Sequence, residues 1–248
     1  MLKVYISEHV KELGNLAGLR AAELMKETIR KKGFANIILA TGTSQFETIN
    51  QLISDPEIQW DRVQMFHLDE YIGLSIAHKA SFRHYLKERF INLVPTLKMG
   101  HLINGEIDPD LECQRLGELI LQNPIDVALV GIGENGHLAF NDPPADFDTE
   151  KPYIVVDLDE ACRAQQMGEG WFETMDDVPM QAISMSIKQI MKSTHIVCSV
   201  PDERKAQAVA DCLTKPVSNI HPASILQNHP HCDLYLDTSS ASLLPKNL

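Results

Sequence analysis

The run Gly131-Ile132-Gly133-Glu134-Asn135-Gly136-His137-Leu138-Ala139-Phe140-Asn141-Asp142 has the residue types of an acid-base site, with three glycines before a histidine and a carboxylate after it. Glycine lets a ligand approach the backbone closely, and an imidazole near an acid can be held in one tautomer and relay protons. His137 is therefore read as a proton relay, with Asn135 and Asp142 as its polar supports. A lone histidine is more often structural, but the glycines and the nearby acid favour function here. A second candidate is His67-Leu68-Asp69-Glu70-Tyr71. Two adjacent carboxylates at the end of an apolar run are costly unless solvated, paired or used. One of them could take a proton next to a carbonyl, and Asp69, which leaves the run first, is the better choice. The alternative is an acid pair that caps the next helix or bonds an arginine. The third candidate is Thr41-Gly42-Thr43-Ser44, between an apolar run and a helical one. Its hydroxyls and backbone N–H groups can surround an anion while a helix dipole adds favourable potential; the plainer reading is a helix cap. It is neither a Walker A sequence nor a GxGxxG fingerprint, so a nucleotide is not indicated.

The elements that must position these groups follow from periodicity. Apolar residues recur at helical spacing from 10 to 29, and Lys31-Lys32-Gly33 supplies a basic last turn and a glycine stop. Strands are expected at 36–40, 63–68, 127–130, 182–185, 195–200 and 233–236, with helices at 46–53, 82–90, 113–121 and 202–212. This alternation predicts an α/β fold: a three-layer, doubly wound, mostly parallel sheet of Rossmann-like type, in a single domain over residues 1–248. Each candidate loop leaves the carboxyl end of a predicted parallel strand, the edge at which open α/β sheets bind ligands. The segment 145–179 breaks the alternation: it is acidic, with a strand-like 153–156 and a helix-like 160–167. It reads either as a helical lid over the site or as an ordinary surface helix pair.

Composition narrows the function classes. Lys and Arg number 22 against 34 Asp and Glu, a formal charge of −12, which argues against nucleic acid as a partner. A small anion is not excluded, because screening over roughly 8 Å lets two or three local cations act against the global balance. The N-terminus lacks a basic flank followed by an apolar stretch, and no later run approaches membrane-spanning length, so a soluble cytoplasmic protein is expected. The five cysteines (Cys113, Cys162, Cys198, Cys212 and Cys232) show no Cys-x-x-Cys spacing and are expected to be buried thiols, not disulfides or a zinc ribbon. His229-Pro230-His231, close to Asp233, lacks companion metal-ligand motifs and is expected to be a surface loop.

From about residue 37 to about 244, in order and with compatible spacing, these motifs resemble those of glucosamine-6-phosphate deaminases (isomerases), within a wider group that also contains 6-phosphogluconolactonases. Leu39 to Ser44 resembles the family's phosphate loop. Leu68-Asp69-Glu70-Tyr71-Ile72-Gly73-Leu74 is similar to its Met-Asp-Glu-Tyr-Val-Gly-Leu segment, and Gly131 to Pro143 to its Gly-His-Ile-Ala-Phe-Asn-Glu-Pro loop. The resemblance implies conversion of an amino-sugar 6-phosphate to a ketose phosphate and ammonia, without metal or redox cofactor. It implies Asp69 as the base that shuttles a proton between C2 and C1, and His137 as the group that assists ring opening, supported by Asn135 and Asp142. It also implies Thr41, Gly42, Thr43, Ser44, Arg163 and Lys205 around the phosphate. The chain departs from the family pattern at Asp142, where a glutamate is usual, and at Gln45, where a proline is usual; Asp142-Pro143-Pro144 is also stiff. Alternatives are a galactosamine-6-phosphate isomerase, a 6-phosphogluconolactonase, or a non-catalytic sugar-phosphate sensor. The resemblance is to a group containing monomers and hexamers, so a homo-oligomer is a possible state.

Overall fold

The computed structural model describes residues 2–245. Its strands and helices run, in chain order, β1 (Leu2–Ser7), α1 (Val10–Lys32), β2 (Ala35–Leu39), α2 (Phe46–Ile53), β3 (Val63–His67), β4 (Asp69–Tyr71), α3 (Phe82–Arg89), β5 (Met99–His101), α4 (Pro109–Gln122), β6 (Val127–Val130), β7 (Tyr153–Asp157), α5 (Glu160–Gly168), β8 (Gln181–Met185), α6 (Ile187–Met191), β9 (His195–Val200), α7 (Ala206–Thr214) and β10 (Cys232–Asp237). Seven strands form one parallel sheet in the order β1-β10-β9-β6-β2-β3-β5. The central strands are apolar on both faces, so successive residues supply two cores. Ile37, Leu39, Met65, Leu129 and Val197 pack towards α1, α2 and α3. Ile38, Phe66, Ala128, Val130 and Cys198 pack the other way, with α4, α6 and α7. The predicted three-layer, doubly wound architecture is the observed one.

The strand order fixes where a ligand can enter. From β2 the chain runs outward through β3 to β5, then returns to the other side of β2 as β6 and runs outward through β9 to β10. The reversal falls between β2 and β6, paired from Ile37↔Val127 to Leu39↔Leu129. Thr41–Ser44 and the Gly131 loop therefore leave neighbouring strands at the topological switch point, where the helices diverge and a crevice opens.

Four expectations are corrected. The residues 69–71 are not a loop, and 182–185 is not part of the main sheet: β4, β8 and β7 make a separate three-stranded antiparallel sheet. The physical reason is a third apolar cluster that the main sheet cannot cover. In it Tyr71, Phe82, Phe140 and Phe172 pack with ring centroids 5.0–5.5 Å apart, under α5 and beside Ala182. His229, expected on the surface, is buried: its Nε2 pairs with Ser193 O at 2.9 Å and its Nδ1 accepts from His231 N. The predicted helix over 202–212 begins as a 3-10 turn, Glu203–Lys205, and becomes α-helical only from Ala206. All five cysteines are free, four of them buried. Among the described residues no helix is long and apolar enough to cross a membrane.

Candidate active site

The acid pair splits into two roles. Glu70 is fully buried and accepts from Phe82 N and Arg83 N at 3.1 and 2.8 Å, from Ser81 Oγ at 2.9 Å and from Arg83 Nε at 3.3 Å. It caps α3 and holds an arginine, the structural reading of the pair. Asp69 has no such set of donors. It faces a cavity of about 260 Å³ that is also lined by Thr41, Gly42, Thr43, Ser44, His137 and Lys205. The two loops and β4 thus meet at one space, small enough for a polar metabolite and short of typical drug-sized pockets.

β4 is the device that aims Asp69. It turns away from β3 and pairs with β8, placing Asp69 opposite Ser184. Ser184 Oγ in turn accepts from Phe140 N at 3.1 Å and from Asn141 Nδ2 at 3.3 Å, so one serine ties the Asp69 strand to the histidine loop. Burial pushes the Asp69 carboxyl up to about 8; the Glu70 charge adds to the rise and the Phe140 N–H opposes it. A group that must take up a proton and later return it works best with a pKa near the working pH.

His137 Nδ1 lies 3.1 Å from Asp142 Oδ1, although the angle falls short of a straight hydrogen bond. The shorter aspartate therefore reaches the ring directly. Asn135 Nδ2 donates to Asp142 Oδ1 at 3.0 Å and to Asp159 Oδ2 at 3.1 Å, Asp142 Oδ2 accepts from Asp159 N, and Asn135 Oδ1 accepts from His137 N. Burial raises the Asp142 carboxyl, but the His137 ring, the Asn135 amide and the Asp159 N–H outweigh it and leave the group below the usual carboxylate value. Asn135 and Asp142 stand behind the ring and do not line the cavity.

In the anion loop Gly42 takes φ +95°, a conformation that a side chain would strain, and starts the 3-10 turn Thr43–Gln45. Neither Thr43 nor Ser44 caps the helix with its side chain, and both line the cavity. Gln45 explains its own presence. Its Nε2 lies within 3.2–3.4 Å of Ser44 Oγ, Val130 O and Ser199 O, stitching the loop to the ends of β6 and β9. Ala139 and Asp202, the non-glycine residues with positive φ among the described ones, both line this cavity. Backbone strain of this kind collects at functional sites, where the surrounding structure holds it in place.

The cations differ from expectation. Lys205 lines the cavity, 3.8 Å from Glu134 and 4.0 Å from Glu169; burial pulls its ammonium below its usual value while both acids oppose that. Arg163 does not line it. Its guanidinium donates to Val178 O and Met175 O, tying α5 to the turn Met175–Asp177, so the expected phosphate role is corrected. The cavity's arginine is Arg204, next to Lys205 and paired with Asp202 at 2.8 Å and Glu134 at 3.3 Å. Sequence reasoning passed over it, although its adjacency to Lys205 at a helix start was visible. It also passed over Gln165, Gln166 and Glu169 of α5 and its end, which form a wall. Gln165 Oε1 accepts from Glu134 N at 2.9 Å and Gln166 Oε1 accepts from Tyr71 OH at 2.9 Å, so α5 is pinned to the Gly131 loop and to β4.

Comparison with known proteins shows the family. The family model for glucosamine-6-phosphate isomerases and 6-phosphogluconolactonases matches residues 8–234. A glucosamine-6-phosphate deaminase of Streptococcus pyogenes serotype M1 is 36% identical over 92% of this chain and 94% of its own length. One from Lactobacillus delbrueckii subsp. bulgaricus is 31% identical over 98% of this chain and 100% of its own. The solved structure of a monomeric glucosamine-6-phosphate deaminase superposes with a TM-score of 0.87 at 32% identity, covering 97% of this chain and 99% of that one. A 6-phosphogluconolactonase of Trypanosoma brucei shares the fold, with a TM-score of 0.80 at 15% identity over 99% of both chains. On this breadth of match the chain belongs to the family of glucosamine-6-phosphate isomerases and 6-phosphogluconolactonases.

Proposed function

We propose that this protein converts glucosamine 6-phosphate, or a close amino-sugar 6-phosphate, to the ketose 6-phosphate and ammonia. The observation that carries the reading is the meeting of Asp69, His137, Thr41–Ser44 and Lys205 around one cavity. The phosphate sits against Thr41–Ser44 with Lys205 and Arg204 as its cations, and its binding energy positions the reacting carbons. His137, oriented from behind by Asp142, relays the proton from the anomeric hydroxyl to the ring oxygen and opens the pyranose. Asp69 then takes the C2 proton and delivers it to C1. The resulting ketimine takes up water and releases ammonia, so the sum is amino sugar phosphate plus water to ketose phosphate plus ammonia. In this reading the segment 145–179 acts as a lid through α5, and opening it breaks the hydrogen bonds of Gln165 and Gln166.

An assay for ammonia and ketose phosphate, run over a panel of phosphorylated amino sugars beside a lactone-hydrolysis assay, tests the proposal. Lactone hydrolysis without ammonia release rejects it. The two arginine assignments give a sharper contrast. Lys205→Ala and Arg204→Ala are each expected to raise KM for the phosphosugar about 10-fold or more, the scale of one lost charge-assisted hydrogen bond, with a smaller change in kcat. Arg163→Ala is expected to leave KM within about 2-fold and to lower the melting temperature, because only the fastening of α5 is lost. Equal effects of Arg163 and Arg204 on KM would undo the reassignment.

A further inference from the structure

His137 lies in a wall between two cavities. The sugar cavity is on one side; on the other is a groove of about 1160 Å³ along α4 and β7, lined by Asp142 and Asp159. Asp110, Glu118, Asp146 and Asp157 also line this groove, with Lys151 as its cation, so it concentrates positive ions. Behind the Asp142 carboxylate stands the Cys162 thiol, 1% exposed, and its burial together with the Asp142 charge pushes the thiol pKa up. One ligand atom from each of His137, Asp142 and Cys162 lies within 4.8 Å of the other two. The His137 Nδ1 in this trio is buried and makes no straight hydrogen bond, on a residue only 9% exposed.

We propose that His137, Asp142 and Cys162 form a binding site for a soft divalent cation of the zinc type, which arrests the enzyme when filled. A four-coordinate zinc ion with bonds of about 2.0–2.3 Å holds its ligand atoms roughly 3.3–3.8 Å apart, so the trio, now within 4.8 Å, must draw together when the ion binds. The donor set of one nitrogen, one oxygen and one sulfur suits zinc, cadmium or cobalt and not magnesium or calcium. Binding forms a metal–sulfur bond, and the thiol proton leaves to solvent. The thiolate and the carboxylate together balance the dication. Nδ1 gives its lone pair to the metal, so the ring proton must sit on Nε2 and the ring can no longer accept one. The ion does not enter the sugar cavity; kcat falls while KM changes little. This kinetic part rests on the function proposed above, and the binding part does not.

The test uses the whole protein, stripped with chelator and titrated with cobalt(II) as a spectroscopic probe. The expected result is a thiolate-to-cobalt charge-transfer band that saturates at a single ion per chain and is displaced by zinc. The band is lost in Cys162→Ser and kept in Cys113→Ser, the half-buried cysteine that lines the same groove from α4. X-ray absorption at the zinc edge of the unmutated protein, which needs no variant to fold, should show one sulfur among nitrogen and oxygen neighbours. Zinc is expected to inhibit ammonia release, chelator to restore it, and Cys162→Ser to keep basal activity with at least 10-fold weaker inhibition. A shell without sulfur, a band that survives Cys162→Ser, or one that depends on Cys113 overturns the site. Metal binding without loss of activity overturns the arrest alone, and absence of ammonia release from the metal-free protein counts against the proposed reaction, not the site.

Discussion

Asp69→Asn is expected to lower kcat by about three orders of magnitude while the phosphosugar still binds, and to make the protein more stable at the same time. The first effect is the loss of the group proposed to move a proton between carbons, a contribution of roughly 10²–10⁴ in rate. The second follows from burial. Asp69 is 6% exposed, and its carboxyl is pushed from the ordinary 3.8 to about 8. Below the unfolded pKa both states carry a neutral acid and there is no penalty. As pH rises from there towards 8 the unfolded chain gives up the proton while the folded chain keeps it, so stability is lost across that window. Asparagine carries no such penalty, so its advantage over aspartate should grow from pH 4 to pH 8 and reach a few kcal/mol, or several degrees in melting temperature. Thermal melts of both proteins at pH 5 and pH 8, with binding of a non-reacting phosphosugar analogue, check this. An aspartate protein as stable as the asparagine one at pH 8 would mean that Asp69 ionises freely and is not held as described.

The same burial sets the pH profile. The free enzyme's kcat/KM is expected to rise with pH through an apparent pKa near 8, as Asp69 becomes the base. A limb centred near 4 would point to an exposed carboxylate as the base. Glu70 should not be the group observed, since its oxygens are committed to the start of α3 and to Arg83.

Much of this is legible in the sequence, for an identifiable reason. Strands such as 127–130 and 195–200 are apolar on both faces and long enough to stand out, and the helices between them carry clear periodicity, so the parallel sheet and the loops at its carboxyl edge could be read directly. What was not legible was built from short or non-local pairings. β4 is three residues long, too short for any periodic signal, and becomes a strand only because β8, more than a hundred residues later, lies beside it. β1 lies at the sheet edge and is mostly half-buried or exposed, so no buried apolar run marks it. The arginine error has the same origin. Arg163 and Arg204 both sit near helix starts, and nothing local reveals that one side chain meets the carbonyls of Met175 and Val178 while the other turns into the cavity.

Gly133→Ala is expected to disable the site from a residue with no chemistry of its own. A Cβ at position 133 would lie 2.2 Å from Cε1 and Nε2 of the His137 ring and 2.4 Å from Cδ2. No carbon pair tolerates that approach, and the backbone cannot easily retreat, because Gly133 N donates to His137 O at 3.0 Å and Gly133 O accepts from Gly136 N at 3.0 Å. The ring must therefore swing, leaving its place 3.1 Å from Asp142 and its aim at the substrate. Overpacking of this sort costs about 1–3 kcal/mol of stability, while misplacing an acid-base group by about an ångström costs on the order of 10² in rate. A double-mutant cycle separates the two. If the glycine serves only to make room for the ring, Gly133→Ala should lower kcat strongly in the parent and hardly at all on a His137→Ala background, where there is no ring to displace. Additive losses would mean that Gly133 acts through the loop backbone and not through His137. Full activity of the single variant would remove His137 from the position, and with it from the ring-opening step assigned to it.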